Sequence, residues 1–94
     1  MTTATPRPAV GRIVHVLMRP ADNNHSDTAP AIITRVWSDG CVNVRVLTDS
    51  DAVLWHTSVS LHADRAAADA AVAPAREMHG EAADLRAAWW PERV

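Results

Sequence analysis

The sequence predicts a mainly β (α+β) fold, a small SH3-like antiparallel β-barrel with an alanine-rich helical insertion. β-Branched residues recur in short segments that are separated by turn formers, as in a series of strands. Alanines dominate residues 63–88, which therefore have a high helix propensity. The chain has 94 residues, enough for one small domain. Closure into a barrel would remove the exposed edges of so short a sheet.

The chain divides into a short arm and one domain. Residues 1–9 contain two prolines and three threonines and are expected to form a flexible arm. Residues 10–94 are expected to form the barrel, with the helical insertion at about 63–88. A long loop is expected at residues 19–30, which are rich in turn formers. The predicted strands are residues 11–18, 31–38, 41–48 and 52–60.

The insertion is expected to form one or two short helices, roughly residues 64–73 and 75–88. Asp64 can cap the first helix, and Pro74 should interrupt it because proline lacks the backbone N–H that a helix interior requires. The helices would bury little surface, because their larger apolar side chains are few. These are Val72, Met78 and Leu85.

The segment TRVWSDGCVNVRVLTD, residues 34–49, predicts a β-hairpin with two unlike faces. A two-residue Asp39-Gly40 loop would place Arg35 on the valine face. A three-residue loop, residues 38–40, would instead make one face almost purely apolar, and the pattern favours that loop. It pairs Val36 with Val42, Thr34 with Val44, and Ile32 with Val46. The residues expected to point outwards are then Ile33, Arg35, Trp37, Cys41, Asn43 and Arg45.

Four tryptophans, with no phenylalanine or tyrosine, are the aromatic residues of the chain. Trp55 and Trp90 are expected in the core, where tryptophan buries a large area. Trp89 and Trp90 are adjacent, so one is expected to be buried and the other exposed. Trp90 would then cover an apolar opening of the barrel.

The outward side of the hairpin is a candidate binding surface. Trp37 lies between Arg35 and Arg45 in the predicted strands, and tryptophan beside arginine stacks planar rings and binds anionic groups. A nucleotide-like ligand has both features, and protein interfaces are also rich in these residues. Trp89 with a neighbouring arginine is a second candidate. The polar residues that could contribute are His15, Asn43 and His56.

Charge and cysteine content exclude several classes of function. The formal net charge is −2 and all nine basic residues are arginine, so a global basic field for nucleic acid is absent. Cys41 is alone, which excludes an intramolecular disulfide and a cysteine-based zinc site and fits a reducing cytoplasm. We expect no signal peptide and no membrane helix, because no sufficiently long apolar run is present.

Motifs for catalysis are not found either. The sequence has no Gly-x-Ser-x-Gly elbow and no glycine loop for phosphate, and Cys41 has no histidine beside it. His15 and His56 could converge from two strands, but a surface or partly buried role fits them better. The acidic segments 21–27 and 49–51 do not match a calcium loop and fit solvated turns. We therefore predict no enzyme, no metal and no cofactor.

Several segments together resemble a family of small, uncharacterised proteins of tailed phages and prophages. They are GRIVHVLM at 11–18, the region 31–60 with VWSDGCVN and WHTSV, and the closing WWPERV. The family's usual end is Gly-Thr-Trp-His-Trp-Pro, of which only Trp90 and Pro91 match here. The alanine-rich segment looks like an insertion relative to the family. The resemblance implies a phage origin, a compact β fold and no enzymatic activity.

These observations lead to three functional hypotheses. The first is a phage accessory protein in the host cytoplasm that captures a nucleotide-like defence signal or a host protein, with a homodimer as one way to form its site. The second is a structural or assembly protein of the virion. The third is a nucleic-acid-binding module, which the acidic net charge disfavours.

Overall fold

The computed structural model describes residues 6–92 of the chain. Residues 1–5 of the predicted arm, and residues 93–94, lie outside the described part, and residues 6–9 have no regular secondary structure. In chain order the elements are strand β1 (Ile13–Leu17), a 3-10 turn (Pro20–Asp22), strand β2 (Thr28–Ser38), strand β3 (Cys41–Leu47), strand β4 (Val53–His62), helix α1 (Arg65–His79), a second 3-10 turn (Gly80–Ala82) and strand β5 (Ala87–Trp89).

The strands form a closed barrel in the order β1-β2-β3-β4-β5. The first four strands are an antiparallel meander, and β5 closes it by pairing antiparallel to β1 and parallel to β4. The parallel pair arises because α1 carries the chain across the barrel before β5 begins. The predicted mainly β small barrel with a helical insertion is confirmed.

The core is built from the inward residues of the strands. Val42, Val44 and Val46 of β3 are fully buried, as the alternation in the hairpin predicts. They pack with the inward residues of the other strands in one cluster. The further members are Val14, Val16, Met18, Ala29, Ala31, Ile33, Val59, Ala88 and Trp90.

The predicted hairpin loop is wrong by one residue. Ser38 pairs with Cys41, so the loop has two residues, yet Val36 still faces Val42 as predicted. A β-bulge at Trp37 absorbs the difference, because the extra residue on β2 restores the register.

A second bulge on β2, at Thr34, changes which isoleucine is buried. The register there pairs Ile33 with Val44 and Ala31 with Val46. Ile33 is therefore fully buried and Ile32 only partly buried, the reverse of the prediction. A pattern of apolar residues does not reveal a bulge, and each bulge exchanges the faces of the residues that follow it.

Helix α1 is continuous, so the insertion forms one helix, one of the two alternatives left open by the sequence, and this helix ends at His79 rather than near residue 88. Asp64 caps it, since its carboxylate accepts a hydrogen bond of 2.8 Å from the backbone N–H of Ala67. Pro74 lies inside the helix without ending it. Both Pro74 and Ala70, whose carbonyl lacks the proline donor, are exposed, so water can bond to that carbonyl. Met78 is also exposed rather than an apolar anchor.

The helix covers the seam at which β5 closes the barrel. Ala68 and Val72, one helical turn apart, are buried against Leu17 and Trp89. Arg65 ties the first turn of α1 to the start of β2 by an ion pair of 2.8 Å with Asp27. No helix in residues 6–92 is long and apolar enough to cross a membrane.

Trp89 and Trp90 occupy opposite sides of the barrel wall at this seam. Trp90 belongs to the barrel core, whereas Trp89 lies on the outer side, under the helix. Adjacent strand residues point to opposite faces, which explains the division. The expectation that one of them is exposed is wrong, because α1 buries the outward one and both are less than a tenth exposed.

Candidate functional site

A row of paired residues crosses the outside of the barrel over four strands. Ile13 of β1 pairs with Ile32 of β2, which pairs with Arg45 of β3, which pairs with Trp55 of β4. Directly paired residues of antiparallel strands point to the same face. Ile13 and Trp55 are 46% and 54% exposed, so the row faces outwards and is not covered by α1.

A second pair extends this apolar surface along β3 and β4. Leu47 pairs with Val53, and each lies two residues from a member of the first row, on the same side of its strand. Leu47 is 40% exposed and Val53 57% exposed. We name this surface, together with Arg35 and Trp37 beside it, the outer face. Its members are Ile13, Ile32, Arg35, Trp37, Arg45, Leu47, Val53 and Trp55.

Trp37 is held in one orientation although it is 53% exposed. Its indole Nε1–H donates a hydrogen bond of 2.9 Å to Oδ1 of Asn43. The guanidinium of Arg35 lies over its ring, with Cζ 3.9 Å from the ring centroid. A ring fixed on two sides loses little further conformational freedom when a partner covers it, which favours binding.

Asn43 is the residue that organises this corner of the outer face. A bulge places Asn43 of β3 opposite both Thr57 and Ser58 of β4, and Ser58 has a positive φ of 56°. Oδ1 of Asn43 accepts hydrogen bonds from the backbone N–H of Ser58 at 2.9 Å and from the Thr57 hydroxyl at 3.0 Å. Asn43 thereby accepts hydrogen bonds both from the bulged part of β4 and from the Trp37 indole. Its side chain is buried, since the residue is only 6% exposed. It supports the surface and is not itself open to a ligand.

Acidic side chains are absent from the first four strands of the barrel and lie instead in the segments that connect or follow the strands. Strands β1 to β4 contain no aspartate or glutamate. Arg35 and Arg45 are therefore the formal charges on the outer face. Acidic residues lie in the turns, in α1 and in the segments that follow it. The net charge of −2 conceals a locally basic and apolar wall.

The structure brings together some of the residues predicted from the sequence and separates others. Arg35, Trp37 and Arg45 share the outer face, as predicted. Trp89 does not join them. It is 5% exposed, with the Arg65 guanidinium 5.3 Å from its ring centroid and the His15 ring packed edge-on at 5.8 Å.

His15 and His56 do not converge. His15 pairs with Trp89 on the outer side of β1, whereas His56 pairs with the buried Val44 and lines a cavity on the inner side of β4. Burial and the charge of Arg86 lower the pKa of His56 below its ordinary value. No group of residues suited to a metal ion occurs within residues 6–92.

Sequence reasoning missed part of the outer face and misplaced one residue on it. Trp55, expected in the core, is exposed, and Ile13, Leu47 and Val53 were not predicted to bind anything. The position of Trp55 along its strand could have shown that it points outwards. It is paired with Arg45, which was already predicted to point outwards, so the pairing of β3 with β4 would have placed it correctly.

Three cavities in the described structure lie away from the outer face. The first lies between β1 and β4, the second lies beside the end of α1, and the third lies at the seam near Trp89. None of these three is lined by Arg35, Trp37, Arg45 or Trp55. Small-molecule sites are usually concave, whereas the outer face belongs to the outside of a barrel wall.

No known protein family, curated protein or solved structure matches the chain. The resemblance to phage proteins seen in the sequence therefore stays a prediction.

Proposed function

We propose that this protein is a non-enzymatic binding module that docks an acidic and apolar segment of another protein on its outer face. The observation that carries the proposal is the exposed row over four strands, with Trp37 fixed beside it by Asn43 and Arg35. Contiguous exposed apolar surface of this kind is a mark of interaction sites. Tryptophan and arginine are the residues that most often dominate interface energetics.

Charge favours a partner that carries carboxylates. Arg35 and Arg45 have no acidic neighbour within strands β1 to β4. Carboxylates of a partner would form ion pairs with these arginines, and apolar side chains of the partner would cover Leu47, Val53 and Trp55.

The same charges disfavour a homodimer through this face. A two-fold interface applies the same patch to itself, so the arginines of one copy would approach those of the other without compensating acids. The homodimer predicted from the sequence is therefore not supported by the outer face.

A nucleotide-like ligand and a single-stranded nucleic acid are the competing occupants. Trp37 and Trp55 could stack bases. However, the face has only two arginines to bind phosphates, and a polyanion would make no use of its several exposed aliphatic side chains. With the phage resemblance, the proposal becomes an accessory protein that engages a host protein in the host cytoplasm.

Selection from a display library of short random peptides tests the proposal. Enriched peptides are expected to combine Asp or Glu with large apolar residues. Trp37→Ala and Trp55→Ala should each weaken binding of an enriched peptide by about tenfold or more. Arg45→Glu should weaken it, whereas the matched control Arg7→Glu should not, because Arg7 is exposed but lies outside the outer face.

Two results would overturn the proposal. One is enrichment of peptides without acidic residues whose binding is insensitive to Trp37 and Trp55. The other is tighter binding of oligothymidylate than of any selected peptide, with affinity that falls steeply as salt is added, which would indicate a nucleic-acid binder.

A further inference from the structure

A second candidate site lies where the barrel is incompletely closed. Strand β5 pairs with β1 at His15 and Val16 and with β4 at residues 60–62. Beyond these pairs the end of β1 and the start of β4 have no strand between them. A cavity of about 420 Å³ occupies this gap, a volume within the range of small-molecule sites.

The cavity has an apolar wall and a charged rim. Leu17 at the end of β1, Met18 directly after it and Leu54 of β4 supply apolar side chains that also pack in the hydrophobic clusters. Arg19 and Arg86 stand at the rim together with Asp22 and Asp84. This combination suits a ligand with an apolar body and a charged end.

His56 contributes a polar ring to the lining of this cavity. It faces inwards, because its partner on β3 is the buried Val44. Burial, Arg86 and Arg19 lower its pKa, and Asp84 acts in the opposite direction. No hydrogen bond from a described residue contributes to this shift. The ring lines the cavity, so its nitrogens can reach a ligand bound there.

The two arginines at the rim differ in how many of their donors are already engaged in hydrogen bonds and ion pairs. Arg86 is bound by both carboxylate oxygens of Asp84, at 2.6 to 3.0 Å, and also donates to the carbonyl of Thr57 at 3.3 Å. Arg19 makes one longer ion pair with Asp22, at 3.5 Å, and donates to the carbonyl of Glu81 at the same distance. Arg19 thus has donors to spare, while Arg86 is fixed and contributes its field.

We propose that this cavity binds a small organic carboxylate, with its apolar chain between Leu17, Met18 and Leu54 and its carboxylate held by Arg19 and His56. Arg86 already binds both oxygens of Asp84, so the spare hydrogen-bonding groups at the rim are mainly the donors of Arg19 and His56, which suit a carboxylate better than an amine or an alcohol. The site lies away from the outer face and is independent of the proposed protein docking.

The test compares three probes with the same apolar chain, namely octanoate, octanol and octylamine, added to the full chain and followed by NMR. Octanoate is expected to bind about tenfold more tightly than octanol, as a charge-assisted hydrogen bond implies, and also more tightly than octylamine. The His56 ring signals should move, and the His56 pKa should rise with octanoate because a bound carboxylate favours the imidazolium.

Two arginine variants distinguish binding by Arg19 at the rim from a general effect of net charge on octanoate affinity. Arg19→Gln should weaken octanoate by about tenfold, and Arg7→Gln, which removes the same charge elsewhere, should not. Equal binding of octanoate and octanol, or no saturable change with any probe, would overturn the proposal. A response at His25 or His79 in place of His56 would also overturn it, since neither lines this cavity.

Discussion

The four tryptophans fall into two pairs with opposite surroundings. Trp89 and Trp90 are 5% and 7% exposed, whereas Trp37 and Trp55 are 53% and 54% exposed. An arginine accompanies a member of each pair, since Arg65 lies over Trp89 and Arg35 over Trp37. The difference is therefore not in the residues themselves. Trp90 is buried because it faces the barrel interior, and Trp89 is buried because α1 covers the outer side of the wall at that position.

The comparison teaches that an outward-facing tryptophan can serve either packing or recognition. Trp89 and Trp55 both lie on the outer side of the wall. The helix covers Trp89, which becomes part of a second small core with Leu17, Ala68 and Val72. No described element covers Trp55, so its ring stays available to a partner.

Replacing Trp90 should break the buried pair most severely. Trp90→Ala removes a large side chain from the barrel core and should lower the free energy of unfolding by about 3–5 kcal/mol, measured by urea denaturation. A domain of this size has little stability to lose, so the variant could unfold altogether. Trp90→Phe keeps part of the packing and should cost less. A loss below about 1 kcal/mol for Trp90→Ala would contradict its place in the core.

Removing Asn43 should loosen the exposed pair by a smaller amount. Asn43→Ala leaves the Trp37 indole, the Thr57 hydroxyl and the Ser58 N–H without their shared acceptor. The expected loss is about 2 kcal/mol of unfolding free energy, with a more mobile Trp37 seen by fluorescence anisotropy. Trp37→Phe, which removes only one of the three donors, should cost less. Equal losses would mean that Asn43 does not organise the strand.

Acid should weaken the inner side of β4 through His56. Its pKa is lowered in the folded state, so the unfolded chain takes up a proton that the folded chain resists. Stability should therefore be complete above the ordinary histidine pKa of 6.5 and fall as the pH drops below it. His56→Gln should flatten this part of the profile, and the exposed control His79→Gln should not. An unchanged profile in His56→Gln would refute the account of this residue.

Truncating Trp55 should have the smallest effect on stability. Trp55→Ser removes an exposed side chain that has one paired neighbour, Arg45, and should change the free energy of unfolding by less than about 1 kcal/mol. The same change should abolish most of the peptide binding proposed for the outer face. A stability loss as large as that of Trp90→Ala would place Trp55 in the core after all.

The sequence predicts the barrel well and the register of its strands poorly. Alternation identifies Val42, Val44 and Val46 as inward residues because burial of one face demands a period of two. It does not reveal the bulges at Trp37 and Thr34, which depend on the geometry of the closed sheet. The helix is predicted from alanine, but its passage through Pro74 is set by tertiary context.

The candidate site is predicted in part for the same reason. Arg35, Trp37 and Arg45 are assigned to one face because they lie near one another in a single hairpin. Trp55 and Ile13 join them through pairing between strands, which the pattern within one strand does not specify. Trp89 is lost from the site because the position of α1 over the seam is a matter of packing between distant segments.

Solvent access to the four indoles tests the central claim most directly. Protein labelled with 5-fluorotryptophan would be exposed to a soluble gadolinium chelate while its fluorine NMR spectrum is recorded, with each signal assigned by a Trp→Phe variant. We predict that the signals of Trp37 and Trp55 broaden strongly and that those of Trp89 and Trp90 do not. Protection of Trp37 or Trp55, or broadening of Trp90 equal to theirs, would contradict the division on which the outer face rests.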